Sequence, residues 1–179
     1  MVYVLLGTGF EEMEAIAPID MMRRAGISVL TVGVDGKSVT GSHGITVEAD
    51  IILDQMDLTD LEMIVLPGGL GGVATVRNSQ PALDALRFAY ENDKYVAAIC
   101  AGPTVLAELG ILGSRQATCY PGCEDAMGDA LILNEACVIA DKVITGASAG
   151  CAIAFALALI MALKGKDEAD RIAKQIVIR

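Results

Sequence analysis

The chain has 179 residues, a net charge of −10, 54 % hydrophobic and 4 % aromatic residues, and no tryptophan. That length suits one domain over 1–179 with a full core, and the composition makes the core aliphatic. The acid excess argues against nucleic acid and anionic membrane as partners. Five cysteines without paired spacing point to a reducing compartment and a cytoplasmic location.

In chain order, Val2-Tyr3-Val4-Leu5-Leu6 reads as a strand buried on both faces. It has no basic flank and is too short for a signal peptide. Gly7-Thr8-Gly9 then turns the chain into a helix that opens with acids and ends at Ala25-Gly26. A phosphate cradle there lacks the third glycine and the lysine. Pro18 removes a hydrogen bond to the Glu14 carbonyl, so the helix is expected to be irregular at Glu14. Glu11 and Glu12 read as compensation of the helix dipole. Glu14, followed by apolar Ala15-Ile16-Ala17, is the carboxyl with a candidate role.

A second strand is expected over 27–33, and a small hairpin pairs 38–40 with 45–50 across Gly41-Ser42-His43-Gly44. His43 is the only histidine, so catalysis by an imidazole must use it, and a solvated loop residue is the plainer reading. A third buried strand over 63–66 ends in Pro67-Gly68-Gly69-Leu70-Gly71-Gly72, expected to be a loop that brings backbone N–H groups to the sheet edge. A helix over 80–92 has Pro81 at its first position, and 94–99 is the fourth strand.

That strand stops at Cys100, and Gly102-Pro103 opens a helix over Pro103–Glu108. Strand, tight turn and helix with a sulfur at the turn follow the logic of a nucleophile elbow. A thiol facing unpaired N–H groups is expected to have a depressed pKa and to react at neutral pH. The alternative is a buried structural cysteine. Downstream, 116–118 reads as a short strand leading to Cys119-Tyr120-Pro121-Gly122-Cys123. No second pair of ligands accompanies these two cysteines, so no metal is expected. Strands at 137–140 and 143–145 flank an Asp141-Lys142 turn. The apolar helix at 151–163 is too short to cross a bilayer, and Ala169, Ile172, Ala173 and Ile176 mark an amphipathic C-terminal helix.

Glu11-Glu12-Met13-Glu14, Asp20-Met21-Met22-Arg23-Arg24-Ala25-Gly26, Leu66-Pro67-Gly68-Gly69 and Ala97-Ala98-Ile99-Cys100-Ala101-Gly102-Pro103 resemble, in order along the whole chain, the DJ-1/ThiJ branch of the DJ-1/PfpI superfamily. The resemblance implies a flavodoxin-like α/β fold: a doubly wound, mostly parallel sheet sandwiched by helices, with a small β-hairpin. It implies a homodimer, a nucleophilic Cys100 hydrogen-bonded to a protonated Glu14, and an oxyanion pocket from the Gly69 and Ala101 amides. Tyr120 stands where many relatives carry a histidine beside the nucleophile. The loop Gly146-Ala147-Ser148-Ala149-Gly150 lacks the usual Gly-Pro-Gly. Ala101 differs from the histidine that follows the nucleophile in the protease-like branch, and no histidine follows Cys100 to serve an amidotransferase triad.

By the same resemblance the expected activity is that of a stress-response protein with a reactive cysteine. It would act as a cofactor-independent glyoxalase or deglycase on methylglyoxal-type aldehydes. The alternative is a non-enzymatic redox sensor or chaperone that uses oxidation of Cys100. Met13, Ala17, Asp20 and Arg24 on the first helix suit a two-fold contact in which Asp20 pairs with Arg23 or Arg24 of the other copy. The resemblance sets His43 of one subunit near Cys100 of the other.

Overall fold

The computed structural model, described here for residues 1–178, is built on a central seven-stranded sheet. β1 (Val2–Leu6) runs into α1 (Glu12–Arg24) and back to β2 (Val29–Gly33). β3 (Ser38–Thr40) and β4 (Thr46–Glu48) form a separate antiparallel hairpin. β5 (Ile51–Ile52) and β6 (Met63–Leu66) follow, then α2 (Leu70–Arg77), α3 (Gln80–Glu91), β7 (Tyr95–Ile99) and α4 (Pro103–Glu108). β8 (Gln116–Ala117) and β9 (Leu131–Ile132) pair with each other outside the main sheet. β10 (Cys137–Ala140), β11 (Val143–Gly146), α5 (Ala152–Lys164) and α6 (Lys166–Gln175) complete the chain.

The strand order is β10-β11-β7-β6-β1-β2-β5, parallel throughout except for β10 against β11. Side chains alternate across it with the two-residue period of a strand. Val2, Val4, Leu6, Met63, Val65, Ala97 and Ile99 face one apolar layer with Met22 of α1, Phe155 of α5 and Ile172 of α6. Tyr3, Leu5, Ile64, Leu66, Val96 and Ala98 face the other, with Val76 of α2, Leu86 of α3 and Val105 of α4. Both faces are covered, which accounts for the uninterrupted apolar runs. From β1 the chain winds toward β2 on one side and, through β6, toward β7 on the other. The carboxyl ends of β1, β6 and β7 therefore meet at the switch point where open sheets of this kind bind ligands.

Four features differ from expectation. The stretch 67–72 is a loop only as far as Gly69, because α2 begins at Leu70. Glycine is a poor helix former, but a Cβ on Gly72 would lie 2.7 Å from Phe10 Cα, so packing of the helix on the β1–α1 turn dictates the residue. α1 runs through Pro18 unbroken, because Ala15, Pro18, Ile19 and Met22 on its buried face outweigh one lost hydrogen bond. β2 starts at Val29, since the Ile27 amide still donates to Met22 O at the helix end. The strand expected over 116–118 ends at Ala117 and pairs with β9 outside the main sheet.

Candidate active site

Cys100 directly follows β7 and takes φ 66, the left-handed region that non-glycine residues avoid. Two hydrogen bonds hold this strain in place. The Cys100 amide donates to Gly146 O at 2.9 Å, and the Tyr120 amide donates to Cys100 O at 2.9 Å. A sharp turn pinned at both ends projects the side chain off the sheet edge, the geometry expected of an elbow.

Glu14 comes from the first turn of α1. Glu11 caps that helix, its Oε2 accepting the Glu14 amide at 2.8 Å. The Glu14 side chain is 1 % exposed. Its Oε2 accepts the Gly68 amide at 2.8 Å, and the Gly68 carbonyl in turn accepts the Glu11 amide at 2.9 Å. One peptide after β6 thus clamps the start of α1. A Cβ on Gly68 would collide with Glu14 Oε2 and lie 2.6 Å from Cys100 Cβ, so Gly68 is wedged between the two side chains. Glu14 Oε1 is buried with no nitrogen or oxygen partner among the described residues, and the Cys100 thiol is the polar group that faces the carboxyl.

Burial pushes the Glu14 carboxyl up to about 7; the hydrogen bonds from Cys100 and Gly68 oppose that push, while the charge of Glu11 adds to it. Cys100 is pushed up to about 12, first by burial, then by the charge and hydrogen bond of Glu14. The Ala101 and Gly69 amides point at the sulfur and pull the other way. The expected depression of the thiol is therefore reversed: the Ala101 amide, ahead of the six-residue α4, and the Gly69 amide, at the head of α2, do not outweigh desolvation and an adjacent carboxylate.

His43 lies elsewhere within the chain. Its side chain is 70 % exposed, and Nδ1 sits 2.9 Å from Glu12 Oε2. Glu12 also accepts the amides of His43 (2.8 Å) and Ile45 (3.4 Å) and the hydroxyl of Ser42 (3.3 Å). Burial would raise the Glu12 carboxyl, but these bonds outweigh it and hold it at about 2, and the same contact raises the His43 imidazole. Glu12 does more than compensate a dipole: it anchors the β3–β4 loop to α1. Sequence reasoning missed this role, and the only available signal was a glycine-flanked loop with free amides. Glu11, Glu12 and His43 have donor atoms within 4.8 Å of one another. They are the residues best placed to hold a cation, although Glu12 and His43 already satisfy each other. Tyr120 adjoins Cys100 through its backbone, and the residue is 49 % exposed.

Cys100, Glu14, Gly69 and Ala101 are thus brought together, Tyr120 borders them, and His43 is held apart on its loop. Among the described residues no helix is long and apolar enough to cross a membrane. The family model described as DJ-1/PfpI family matches residues 1–162. Protein dj-1beta of Drosophila melanogaster is 35 % identical over 98 % of this chain and 95 % of its own length. A deglycase of Pyrococcus horikoshii, PH1704, is 33 % identical over 70 % of this chain and 75 % of its own. The solved structure of oxidized Toxoplasma gondii DJ-1 superposes with a TM-score of 0.94 at 33 % identity, covering 98 % of this chain and 97 % of that one. The order of the strands, the strained turn at Cys100 and these likenesses agree, and the chain belongs to the DJ-1/PfpI family.

Proposed function

We propose that this protein is a DJ-1-like stress-response enzyme of the cytoplasm. It converts methylglyoxal-type aldehydes without a cofactor, as a glyoxalase or as a deglycase of the adducts they form on proteins. The observation that carries this reading is the Cys100–Glu14 pair, a sulfur on a strained turn facing a buried carboxyl that retains a proton near neutrality. The deglycase name of the Pyrococcus horikoshii relative points the same way.

The Cys100 thiolate attacks the aldehyde carbon, a C–S bond forms, and the carbonyl oxygen takes the proton of Glu14. Glu14, now a carboxylate, removes hydrogen from the same carbon as a proton and returns it to the neighbouring carbon, while the hydroxyl proton passes to the neighbouring oxygen. The resulting lactoyl thioester is cleaved by water, giving lactate and free Cys100, so the balance is one methylglyoxal plus one water. The Gly69 and Ala101 amides face the oxygen that gains charge, a role worth on the order of 10²–10³ in rate per donor. Tyr120 borders the pocket in place of an imidazole. The working form is a homodimer, in which His43 of one subunit reaches the other's pocket.

The test is methylglyoxal consumption and lactate release by purified protein beside Cys100→Ser and Glu14→Gln. Turnover is expected in the wild type and not in Cys100→Ser. Undiminished turnover in Cys100→Ser overturns the mechanism. A second reading, that of a redox sensor or chaperone, is favoured by one observation: the two amides aimed at the sulfur would equally hold the oxygens of a sulfinate. Absence of turnover in fully reduced wild type selects it.

A further inference from the structure

A pair of thiols lies beside the site and takes no part in the chemistry above. Cys119 and Cys123 bracket Tyr120-Pro121-Gly122. The segment before them is pinned: the Thr118 amide donates to Thr145 Oγ1 at 2.9 Å and its hydroxyl to Glu135 O at 3.0 Å. The segment after them folds back. The Cys123 amide donates to Tyr120 O at 2.9 Å, and Gly122 takes φ 97, which this tight reversal requires. Both cysteine side chains then pack against the same apolar layer, Cys119 buried and Cys123 half-buried. Each is free. Burial pushes the Cys119 thiol up to about 11, and the charges of Glu124 and Cys123 add to that push.

We propose that Cys119 and Cys123 are a redox-sensitive dithiol that closes to a disulfide across the Tyr120-Pro121-Gly122 turn, immediately beside Cys100. The oxidant is of the hydroperoxide class. The more accessible Cys123 sulfur attacks the peroxide, the O–O bond breaks, and Cys123 becomes a sulfenic acid with release of water or alcohol. The Cys119 sulfur then attacks Cys123, an S–S bond forms, the S–O bond breaks, and water leaves with the thiol proton. Two thiols lose two electrons to one peroxide. Only three residues separate the partners, so the constraint on the unfolded chain is small, and the effect falls on the turn. Since Tyr120 N–H holds the Cys100 carbonyl, the state of this turn is transmitted to the backbone of Cys100.

The test treats the full chain carrying Cys100→Ser with hydrogen peroxide. Alkylation with iodoacetamide under denaturing conditions and peptide mass spectrometry follow. The expected peptide holding Cys119 and Cys123 is two hydrogens lighter, carries neither alkyl group, and gains both after prior reduction with dithiothreitol. Cys137 and Cys151 remain alkylated, and Cys123→Ser in the same background leaves Cys119 alkylated. Two alkylated thiols after peroxide, sulfinate without a link, or a link from either sulfur to Cys137 or Cys151 overturns the proposal. None of these outcomes depends on methylglyoxal turnover, so failure here is distinct from failure of the proposed function. In protein with Cys100 intact, poised in a glutathione buffer that oxidises the pair, the labelling rate of Cys100 is expected to differ from that of Cys123→Ser. Equal rates overturn the coupling to the site.

Discussion

The buried Glu14 carboxyl faces the Cys100 thiol, and each shifts the ionisation of the other. Burial lifts the Glu14 carboxyl to about 7, and burial together with the Glu14 charge lifts the Cys100 thiol to about 12. The two titrate as a pair: below about 7 it holds two protons, and above that one, which rests mainly on the sulfur. In the proposed mechanism the reactive thiolate is the minor form with the proton on Glu14, supported by the Ala101 and Gly69 amides. The rate of iodoacetamide labelling at Cys100 is therefore expected to rise through pH ~7, well below the ~8.5 of an ordinary cysteine. In Glu14→Gln that inflection disappears, and the thiol titrates alone, above the ordinary value because it remains buried. A single wild-type inflection near ~8.5 counts against this coupling.

The same carboxyl makes folding stability depend on pH. The Glu14 pKa of about 7 lies above its ordinary 4.5. Its contribution is complete below pH 4.5 and is lost as pH rises through 7, an amount of about 3 kcal/mol. Urea denaturation at pH 5 and pH 8 is expected to show wild type losing more stability between the two than Glu14→Gln. Equal losses would show that Glu14 does not keep its proton in the folded chain.

Gly68 is the residue that sets the spacing of the pair. In Gly68→Ala the new methyl meets Glu14 Oε2 and lies 2.6 Å from Cys100 Cβ, so one of them must move. Overpacking of this kind costs about 1–3 kcal/mol, and it separates the groups that must exchange the proton. The variant is expected to stay folded by circular dichroism while losing the labelling inflection near pH ~7. Retention of that inflection would show that the wedge is not what sets the pair.

Much of this architecture was legible in residue patterns. The runs at β1, β6 and β7 lack polar residues because both faces of a parallel strand are covered, and the two-residue turn at Asp141 and Lys142 joins β10 to β11 as expected. The stop of an apolar run at Cys100 marked the strained turn. What stayed hidden depends on contacts distant in sequence. The glycines of α2 look like loop residues until Phe10 is placed against Gly72. Glu12 looks like any first-turn acid until the hairpin, 31 residues later, delivers His43 to it. The direction of the Cys100 shift could not be read locally, because desolvation and the Glu14 charge arise only once α1 closes over the sheet edge.

The Glu12–His43 contact holds the hairpin over a defined window of pH. The Glu12 pKa is held at about 2, so its share of the contact is complete above pH 4.5 and is lost as pH falls through 2. The His43 pKa is raised, so its share is complete below pH 6.5 and is lost as pH rises through the raised value. Both are fully present between about pH 4.5 and 6.5. Glu12→Ala leaves the amides of His43 and Ile45 without this acceptor. Hydrogen exchange at those two amides is expected to accelerate in the variant while β1 and β6 stay protected. Unchanged exchange would show that the loop is held by other contacts.

Assembly is the last prediction. Met13 (58 % exposed), Ile16 (41 %), Ile45 (57 %) and Ile153 (40 %) border one apolar hollow between α1, the β3–β4 loop and the start of α5. Within one copy Arg24 pairs with Asp20 and Arg23 with Asp50, each at 2.7 Å. A two-fold contact on this face therefore rests on the apolar side chains, and each of them enters it twice. Burying a methionine is worth about 1.5–3 kcal/mol, so Met13→Glu removes that amount from both copies and adds two buried charges. Sedimentation is expected to show a dimer for wild type, weakened by about 10²-fold or more in Met13→Glu, and nearly unchanged in Asp20→Ala. If His43 of one subunit serves the pocket of the other, His43→Ala lowers turnover in the dimer and has no effect in the Met13→Glu monomer. A wild-type monomer at micromolar concentration removes both the interface and this role for His43.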